Sequence, residues 1–181
     1  MNRMYRKVLE TSLGAFTLAS NGEQLTGLWL RGQKYEKQTI HTTAVEDNDL
    51  PLFLKVEEWL ERYAQGEAPS IDFLLKPEGS TFRQEVWKHL LAIPYGEVET
   101  YGNIAKKMER SHGRAMSAQA VGGAVGHNPI SILIPCHRVV GSNGSLTGYA
   151  GGIDMKKHLL TIEGVQMNSL YEPRPVVNRH Q

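Results

Sequence analysis

Short apolar stretches separated by turn residues open the chain, between Tyr5 and Leu30. The turns fall at residues 12–14 (Ser-Leu-Gly) and at Asn21-Gly22, and an Asn-Gly pair between apolar stretches is the strongest short signal for a β-hairpin. This pattern predicts a meander of three strands. Residues 31–50 are polar and have no period, which is typical of a mobile loop.

A helical period follows this loop. Apolar residues recur at helical spacing and predict an amphipathic helix, whose aromatic side chains we expect in the core; the residues are Leu52, Val56, Trp59, Leu60 and Tyr63. Residues 71–75 indicate another short strand, and the Lys-Pro-Glu-Gly sequence at 76–79 breaks the pattern. We therefore place a domain boundary after residue 76, at the end of a small α/β domain.

Two amphipathic helices are predicted just past this boundary. Thr81 and Gln84 form a capping box for the first helix, which stops before Pro94. Thr100 caps the second, which spans residues 101–108. Phe82, Val86 and Leu90 line one face of the first helix, and the second is expected to bury Ile104 and Ala105.

A third helix follows a polar loop over residues 109–116 and is capped by Ser117. An apolar stretch at residues 130–134 predicts a strand after it. Helices joined in this way, with a strand behind them, indicate a helix-turn-helix in a winged-helix-like domain. Plain helical packing explains the same spacing, so both interpretations stay open here.

The third helix is almost bare of bulky side chains, and it contains two glycines that each cost about 1 kcal/mol relative to alanine. Close approach to another surface would offset that cost. The surface is either a neighbouring helix or a nucleic-acid groove, because a helix pressed against a minor groove only about 6 Å wide benefits from small side chains. The small residues are Ala118, Ala120, Gly122, Gly123 and Ala124.

The net charge of +1 hides an uneven distribution. Residues 1–75 carry 8 basic and 11 acidic side chains, whereas residues 101–165 carry 7 basic and 3 acidic ones. The basic half is the candidate for an anionic partner, although an ordinary solvated face gives the same count. With no apolar run of membrane length and no secretory signal, we expect a cytoplasmic protein with no membrane partner.

Cys136 is the one cysteine of the chain, which excludes an internal disulfide and any zinc site with two or more thiolates. Such a residue is commonly a small buried hydrophobe. Its neighbours, Pro135, His137 and Arg138, favour a reactive thiol instead, because cationic or donor groups lower the pKa of a thiol.

His137 can act directly on Cys136 only if the backbone turns there, or else through a bridging water, because adjacent side chains of a regular strand point to opposite faces. A third group should orient the histidine. Glu163, just before the stop signal Gly164, is the candidate. A cysteine-histidine-glutamate relay serves a hydrolase as well as a transferase.

These residues fall in a familiar order. The stretch Ile134 to Val140 (IPCHRVV), with Asn128-Pro129 before it and Thr147 to Gly152 (TGYAGG) and Leu159-Leu160-x-x-Glu163 after it, resembles the signature of the methylated-DNA–protein-cysteine methyltransferases, the O6-alkylguanine-DNA alkyltransferases. The ordered match runs from about Phe82 to Gly164. The resemblance implies a ribonuclease-H-like domain at 1–76 and a DNA-binding and alkyl-transfer domain at 77–165. Pro173 and Pro175 among polar residues indicate a flexible tail at 166–181.

The resemblance also implies the chemistry. Cys136 is the acceptor that takes an alkyl group from O6 of guanine as a thioether, once per chain, and His137 and Glu163 draw the thiol proton away through a water. Tyr101 donates to guanine N3. No metal, nucleotide or redox cofactor is implied, and the partner is double-stranded DNA containing an alkylated guanine, bound by a monomer that flips the base out.

The resemblance also implies which residues bind the flipped guanine. The carbonyls of Cys136 and Val139 accept from the guanine amino group, the amide of Ala150 donates to O6, Tyr149 closes the pocket and Asn128 holds the turn. From the residues alone, each of these roles has a structural alternative. Asn128 before Pro129 is also a common turn residue, and Tyr149 also suits the core. Glu163 also suits an exposed position on its helix, and Tyr101 also suits packing beneath the second helix.

The DNA contact is assigned to Arg138 and to the third helix, through Ala118, Gln119, Ala120 and Gly122. Gln119 departs from the family pattern, in which an arginine enters the base stack in place of the flipped nucleotide. Glutamine fills the gap without a charge or a guanidinium plane. Two other classes remain open: a module that binds lesions without transfer, and a cysteine-dependent hydrolase.

Overall fold

The computed structural model describes residues 3–37, 39–40 and 43–171. The expected meander is confirmed, with antiparallel pairing in chain order among β1 (Tyr5–Thr11), β2 (Gly14–Ser20) and β3 (Gln24–Leu30). Two short strands, β4 (Val45–Glu46) and β5 (Leu74–Leu75), add in parallel to the outer strands. The sheet order is β4-β1-β2-β3-β5, and the strand expected over 71–75 is reduced to its last two residues.

The helix predicted after the loop is α1 (Pro51–Ala64). Its first residue is a proline, which suits a position where no backbone N–H donor is needed. The spacing of its apolar residues is confirmed, because Leu52, Val56, Leu60 and Tyr63 are all buried. This face covers the sheet and forms one continuous core with the second domain.

Four helices and a two-stranded parallel sheet make up the second domain. The elements are α2 (Thr81–Leu91), β6 (Glu99–Thr100), α3 (Tyr101–His112), α4 (Ala118–Gly126), β7 (Val139–Val140) and α5 (Ile153–Ile162). The mixed α/β class is confirmed, with a sheet in the first domain and helices in the second. None of the helices in the described part of the chain is long and apolar enough to span a bilayer.

Two of the predicted helix caps are confirmed. The side chains of Thr100 and Ser117 each accept a hydrogen bond from the backbone N–H three residues on, at 3.1 and 3.0 Å. The capping box predicted for Thr81 and Gln84 is wrong. Ser80 caps α2 instead, and the side chain of Gln84 donates to a carbonyl upstream of the helix.

The predicted boundary between the second and third helices is also wrong. Helix α3 continues through His112, four residues beyond Met108, and ends where Gly113 adopts a left-handed conformation at φ 67°. The polar residues that resembled a loop lie on the solvent side of its last turn. The connection to α4 is therefore short, as in a helix-turn-helix.

The strand expected at residues 130–134 is absent from the described structure. Leu28 of β3 donates to the carbonyl of Pro129 at 2.8 Å and accepts from the N–H of Ser131 at 2.9 Å, which makes a single bridge between the domains. The chain then turns, and Ile132 has a φ of 68°. The apolar side chains of this segment are buried by turns that fit between the two domains rather than by a strand.

The predicted tail begins in contact with the second domain. Tyr171 accepts from the N–H of Leu146 at 2.9 Å and donates to the carbonyl of Gly144 at 3.1 Å. The remaining tail, which holds Pro173 and Pro175, lies outside the described residues.

Candidate active site

Cys136 lies on a turn rather than on a strand. Residues Cys136–Arg138 form one turn of 3-10 helix between Pro135 and β7. Cys136 is 4% exposed and His137 is completely buried. The alternation of faces that would separate two adjacent strand residues therefore does not apply here.

The carboxylate of Glu163 is the centre of a buried hydrogen-bond network. Its Oε2 accepts from His137 Nε2 at 2.5 Å and from the hydroxyl of Tyr63 at 2.6 Å. Its Oε1 accepts from Arg138 Nε at 2.7 Å and from the N–H of Gly96 at 3.0 Å. Gly96 has a φ of 80°, and a Cβ there would lie 3.2 Å from the Glu163 carbonyl, so glycine suits this position.

This network determines the protonation states of Glu163 and His137. Burial would raise the pKa of Glu163, but the hydrogen bonds from His137, Arg138 and the backbone outweigh it and lower the pKa to about 2. Burial lowers the pKa of His137. At neutral pH the pair is a carboxylate and a neutral imidazole that donates Nε2–H. The other ring nitrogen, Nδ1, is buried without a hydrogen-bond partner among the described residues and is the atom that can take a proton.

The thiol of Cys136 is held in its protonated form. Burial raises its pKa, while a hydrogen bond from Asn128 and the charge of Lys156 oppose that rise. Asn128 also donates to the carbonyl of Ile134 at 2.7 Å and accepts from the N–H of Ile130 at 3.0 Å, so it ties the turn before the cysteine. A thiol in this state needs a base before it can act as a nucleophile.

A buried lysine connects β7, which follows the cysteine turn, with the loop at Thr147. The ammonium of Lys156, on α5, donates to the carbonyls of Val139 and Thr147, and the side chain is inaccessible to solvent. Burial lowers its pKa to about 8. Tyr101 donates to the same Thr147 carbonyl at 2.9 Å. The carbonyl of Val139, one of the two predicted guanine acceptors, is thus fixed in direction by a cation.

A cavity of about 300 Å³ opens between α4 and the loop that follows Thr147. Tyr149 and Ala150 line it on the loop side, and Gly122 and Gly126 line it on the helix side. Gly148, at φ 83°, comes so close to Tyr101 that a Cβ would lie 2.6 Å from the phenol oxygen. Glycine at 148 therefore lets the loop and the tyrosine meet at the rim of this cavity.

The bare face of α4 is turned to open space. A Cβ added at Gly123 or Gly126 would meet nothing within 4 Å, and one at Gly122 would make only an ordinary 3.9 Å contact with Tyr101. No described helix uses these glycines for close packing, so the helix-packing explanation fails for them. It holds for Ala124, which is buried and whose carbonyl accepts from Trp87 Nε1 of α2 at 2.9 Å. Gln119 is exposed at one end of this face, at a second cavity of about 500 Å³. Ala118 and Ala120 are exposed beside it.

Arg138, which the sequence analysis assigns to the DNA contact, makes its hydrogen bonds inside the protein. Its guanidinium donates to Glu163 and, at 2.8 Å, to the carbonyl of Ile93, and it lies 5.7 Å from the ring of Tyr95. These contacts lie behind the cysteine turn and not on the exposed face of α4. The geometry gives Arg138 an ion pair with Glu163 and does not support its assignment to the DNA contact.

Sequence reasoning missed three parts of this site. Tyr63 was expected to be core alone, and Lys156 was not singled out, although its spacing from Leu159 and Leu160 places it on the apolar face of α5. The third part is the loop at residues 33–35.

That loop reaches the second domain. The N–H of Lys34 donates to the carbonyl of Ala150 at 3.0 Å, and Gln33 accepts from the hydroxyl of Ser131 at 2.9 Å. The ring of Tyr35 stacks on His127, with centroids 3.8 Å apart. A segment expected to be mobile is therefore bonded to the pocket, and no pattern in its sequence indicates this.

The chain matches two family models along most of its length. Residues 4–77 match the ribonuclease-like domain of 6-O-methylguanine DNA methyltransferase, and residues 81–165 match the DNA-binding domain. A methylated-DNA–protein-cysteine methyltransferase of Mycobacterium tuberculosis is 42% identical over 160 residues, which are 88% of this chain and 92% of the relative. One of Methanosarcina acetivorans is 43% identical over 162 residues, 89% and 99% of the two chains.

Solved structures agree with these matches. The crystal structure of M. tuberculosis OGT in complex with DNA superposes with a TM-score of 0.76 at 42% identity, covering 88% of this chain and 92% of that one. A methyltransferase from Methanococcus jannaschii superposes with a TM-score of 0.65 at 31% identity. The matched ranges thus cover both domains and span the positions of Cys136 and Glu163.

Proposed function

The chain belongs to the 6-O-methylguanine DNA methyltransferase family, and we propose on this basis that it repairs duplex DNA by moving an alkyl group from O6 of guanine to Cys136. One observation carries the proposal at the level of chemistry. The lone thiol of the chain follows a tethered turn and precedes a neutral, buried histidine that is oriented by a carboxylate. This is the arrangement that a nucleophile and its base require.

The reaction exchanges one bond for another. The proton of the Cys136 thiol passes through a water to Nδ1 of His137, and Glu163 stabilises the imidazolium that forms. The sulfur attacks the alkyl carbon in line with O6, so that an S–C bond forms while the C–O6 bond breaks. The electron pair stays on the base, which takes a proton from water while the imidazolium releases its own to solvent, and unmodified guanine remains in the DNA.

Three groups around the pocket suit the leaving base. Tyr101 stays protonated, because burial raises its pKa and the negative charge that Cys136 gains on losing its proton adds to that rise. Its one O–H donates to the Thr147 carbonyl in the DNA-free structure and turns to guanine N3 when the base is bound. The carbonyl of Val139 keeps a second lone pair for the guanine amino group while Lys156 holds the first. The amide of Ala150, at the rim of the cavity, donates to O6.

DNA approaches the exposed face of α4. The alkyl carbon is inaccessible inside a duplex, so the nucleotide turns out of the stack toward Cys136 at an expense of a few kcal/mol. Small residues at 118, 120, 122 and 123 let the helix lie against a narrow groove. Gln119 lies at the position from which a side chain enters the base stack in place of the flipped nucleotide. One protein molecule acts on each lesion.

The product defines the test of this function. A thioether on Cys136 is a poor leaving group, so each chain repairs one base and stops. With a duplex containing O6-methylguanine in excess, we expect restored guanine to reach a plateau equal to the amount of protein. Continued conversion beyond that plateau would contradict the proposal in favour of a hydrolase, and binding without conversion would contradict it in favour of a lesion-binding module.

Substitution of Gln119 tests the contact with the stack. We expect Gln119→Arg to strengthen binding to a lesion-bearing duplex about fivefold, because a guanidinium stacks between bases and adds about 1 kcal/mol. Titration of labelled duplex measures the effect, and the repair rate should rise in parallel. Gln65→Arg, which adds the same charge at an exposed position of the first domain, is the matched control. An equal gain in both variants, or none in Gln119→Arg, would reject the contact.

A further inference from the structure

We propose that Tyr63 is a positioning residue of the alkyl-transfer site, through which the first domain sets the basicity of His137. The inference rests on the proposed function. Tyr63 lies on α1 of the first domain, 100 residues from Glu163 and 74 from His137 along the chain. The other three donors to the Glu163 carboxylate come from the second domain, so Tyr63 is the contribution of the first domain to this network.

The hydroxyl of Tyr63 has a fixed direction. Its ring is completely buried and stacks on Trp59, with centroids 5.2 Å apart. The edges of Tyr95 and His137 meet it at 6.2 and 6.4 Å. Burial and the charge of Glu163 raise the pKa of Tyr63 far above its ordinary value, so the phenol remains a donor at every pH at which the protein works.

The position of this donor matters because it shares an oxygen with the histidine. Tyr63 and His137 both donate to Oε2 of Glu163, at 2.6 and 2.5 Å, while Arg138 donates to Oε1. A second donor on Oε2 withdraws negative charge from the bond to His137 Nε2–H. Without it the carboxylate holds that proton more strongly, which stabilises the imidazolium and raises the pKa of His137.

Among the residues that the structure describes, Tyr63 and His137 alone donate to Oε2 of Glu163. The titratable and charged groups around the pair are Tyr63 on α1, Tyr95 after α2, Cys136 and Arg138 on the 3-10 turn, Tyr149 in the pocket loop and Lys156 on α5. Arg138 and Lys156 act on His137 through their positive charge, and the hydroxyl of Tyr95 donates to backbone carbonyls. Removal of the Tyr63 hydroxyl alone therefore tests the proposal.

Tyr63→Phe keeps the ring and loses the hydroxyl. Single-turnover transfer rates measured against pH should show the acid limb moved up by about one pH unit, with a rate about tenfold lower on that limb and within about threefold at alkaline pH. Tyr95→Phe removes a hydroxyl from the same aromatic cluster and should leave the limb in place. A uniform loss of rate in Tyr63→Phe without a moved limb would overturn the inference, as would an equal shift in Tyr95→Phe.

A second measurement does not depend on activity. Titration of ¹⁵N-labelled histidines by NMR in the DNA-free protein should show the same upward shift for His137 in Tyr63→Phe, and an unchanged value would also overturn the inference. Failure of this inference is distinct from failure of the proposed function. In the first case the wild-type protein transfers the alkyl group normally, and in the second it does not transfer it at any pH.

Discussion

Cys136→Ala abolishes alkyl transfer and leaves the affinity for a lesion-bearing duplex within about threefold of wild type. The loss is complete because the chain has one cysteine and no other thiol can accept the group. Binding persists because Cys136 is 4% exposed, whereas the surface that we propose for the DNA contact is the exposed face of α4. Transfer is measured as guanine restored in the duplex, and affinity by titration with labelled DNA.

Cys136→Ser is the matched control for this variant. It keeps the size of the side chain and replaces sulfur by an oxygen whose proton the relay cannot remove at neutral pH. We expect it to bind DNA as Cys136→Ala does and to transfer nothing measurable. Loss of binding in both variants, with the fold intact by circular dichroism, would mean that the cysteine belongs to the DNA contact and that the roles assigned here are incorrect.

His137→Gln slows transfer by about 10² to 10⁴, the range that a positioned general base supplies. Glutamine can still donate to Glu163, so the buried carboxylate keeps a partner, but it has no nitrogen that takes the thiol proton. The rate constant of a single turnover, measured with protein in excess over DNA, gives the effect. His158→Gln, at an exposed position on α5, is the control and should react at the wild-type rate.

The same base gives the wild-type protein its pH dependence. Burial lowers the pKa of His137, so the imidazole stays neutral and able to accept a proton below the ordinary histidine value of about 6.5. The transfer rate should hold as the pH falls through that value and decline only at lower pH. His137→Gln should lack this acid limb. A wild-type limb at or above the ordinary value, or the same limb in the variant, would show that another group is the base.

The strand meander and the starts of α3 and α4 could be predicted from the sequence because local signals determine them. The turn at Asn21-Gly22 and the caps at Thr100 and Ser117 act within a few residues of their own position. Residues 130–134 were misread because their structure depends on distant neighbours. The edge of β3 that does not pair with β2 is already paired with β5 over part of its length. Residues 130–134 therefore form only the bridge at Leu28 with that edge, and this apolar run folds as turns although it resembles a strand.

The candidate site divides in the same way. Cys136 and His137 are adjacent, and Glu163 follows 26 residues after His137, just before the stop signal Gly164, so these residue types predict a relay. The structure brings His137 and Glu163 within hydrogen-bond distance. Tyr63 comes from the other domain, and helical spacing establishes that it is buried without indicating what its hydroxyl contacts. Lys156 did carry a signal, because a lysine on an apolar helix face requires buried acceptors for its three protons.

The mass of the intact protein tests the central claim most directly. After incubation with a duplex containing O6-methylguanine, the chain should be heavier by one methylene unit, and fragmentation should locate the whole increase on the peptide that contains Cys136. Two results would contradict the account. One is a protein of unchanged mass although guanine is restored in the duplex, and the other is a methyl group added to any other residue.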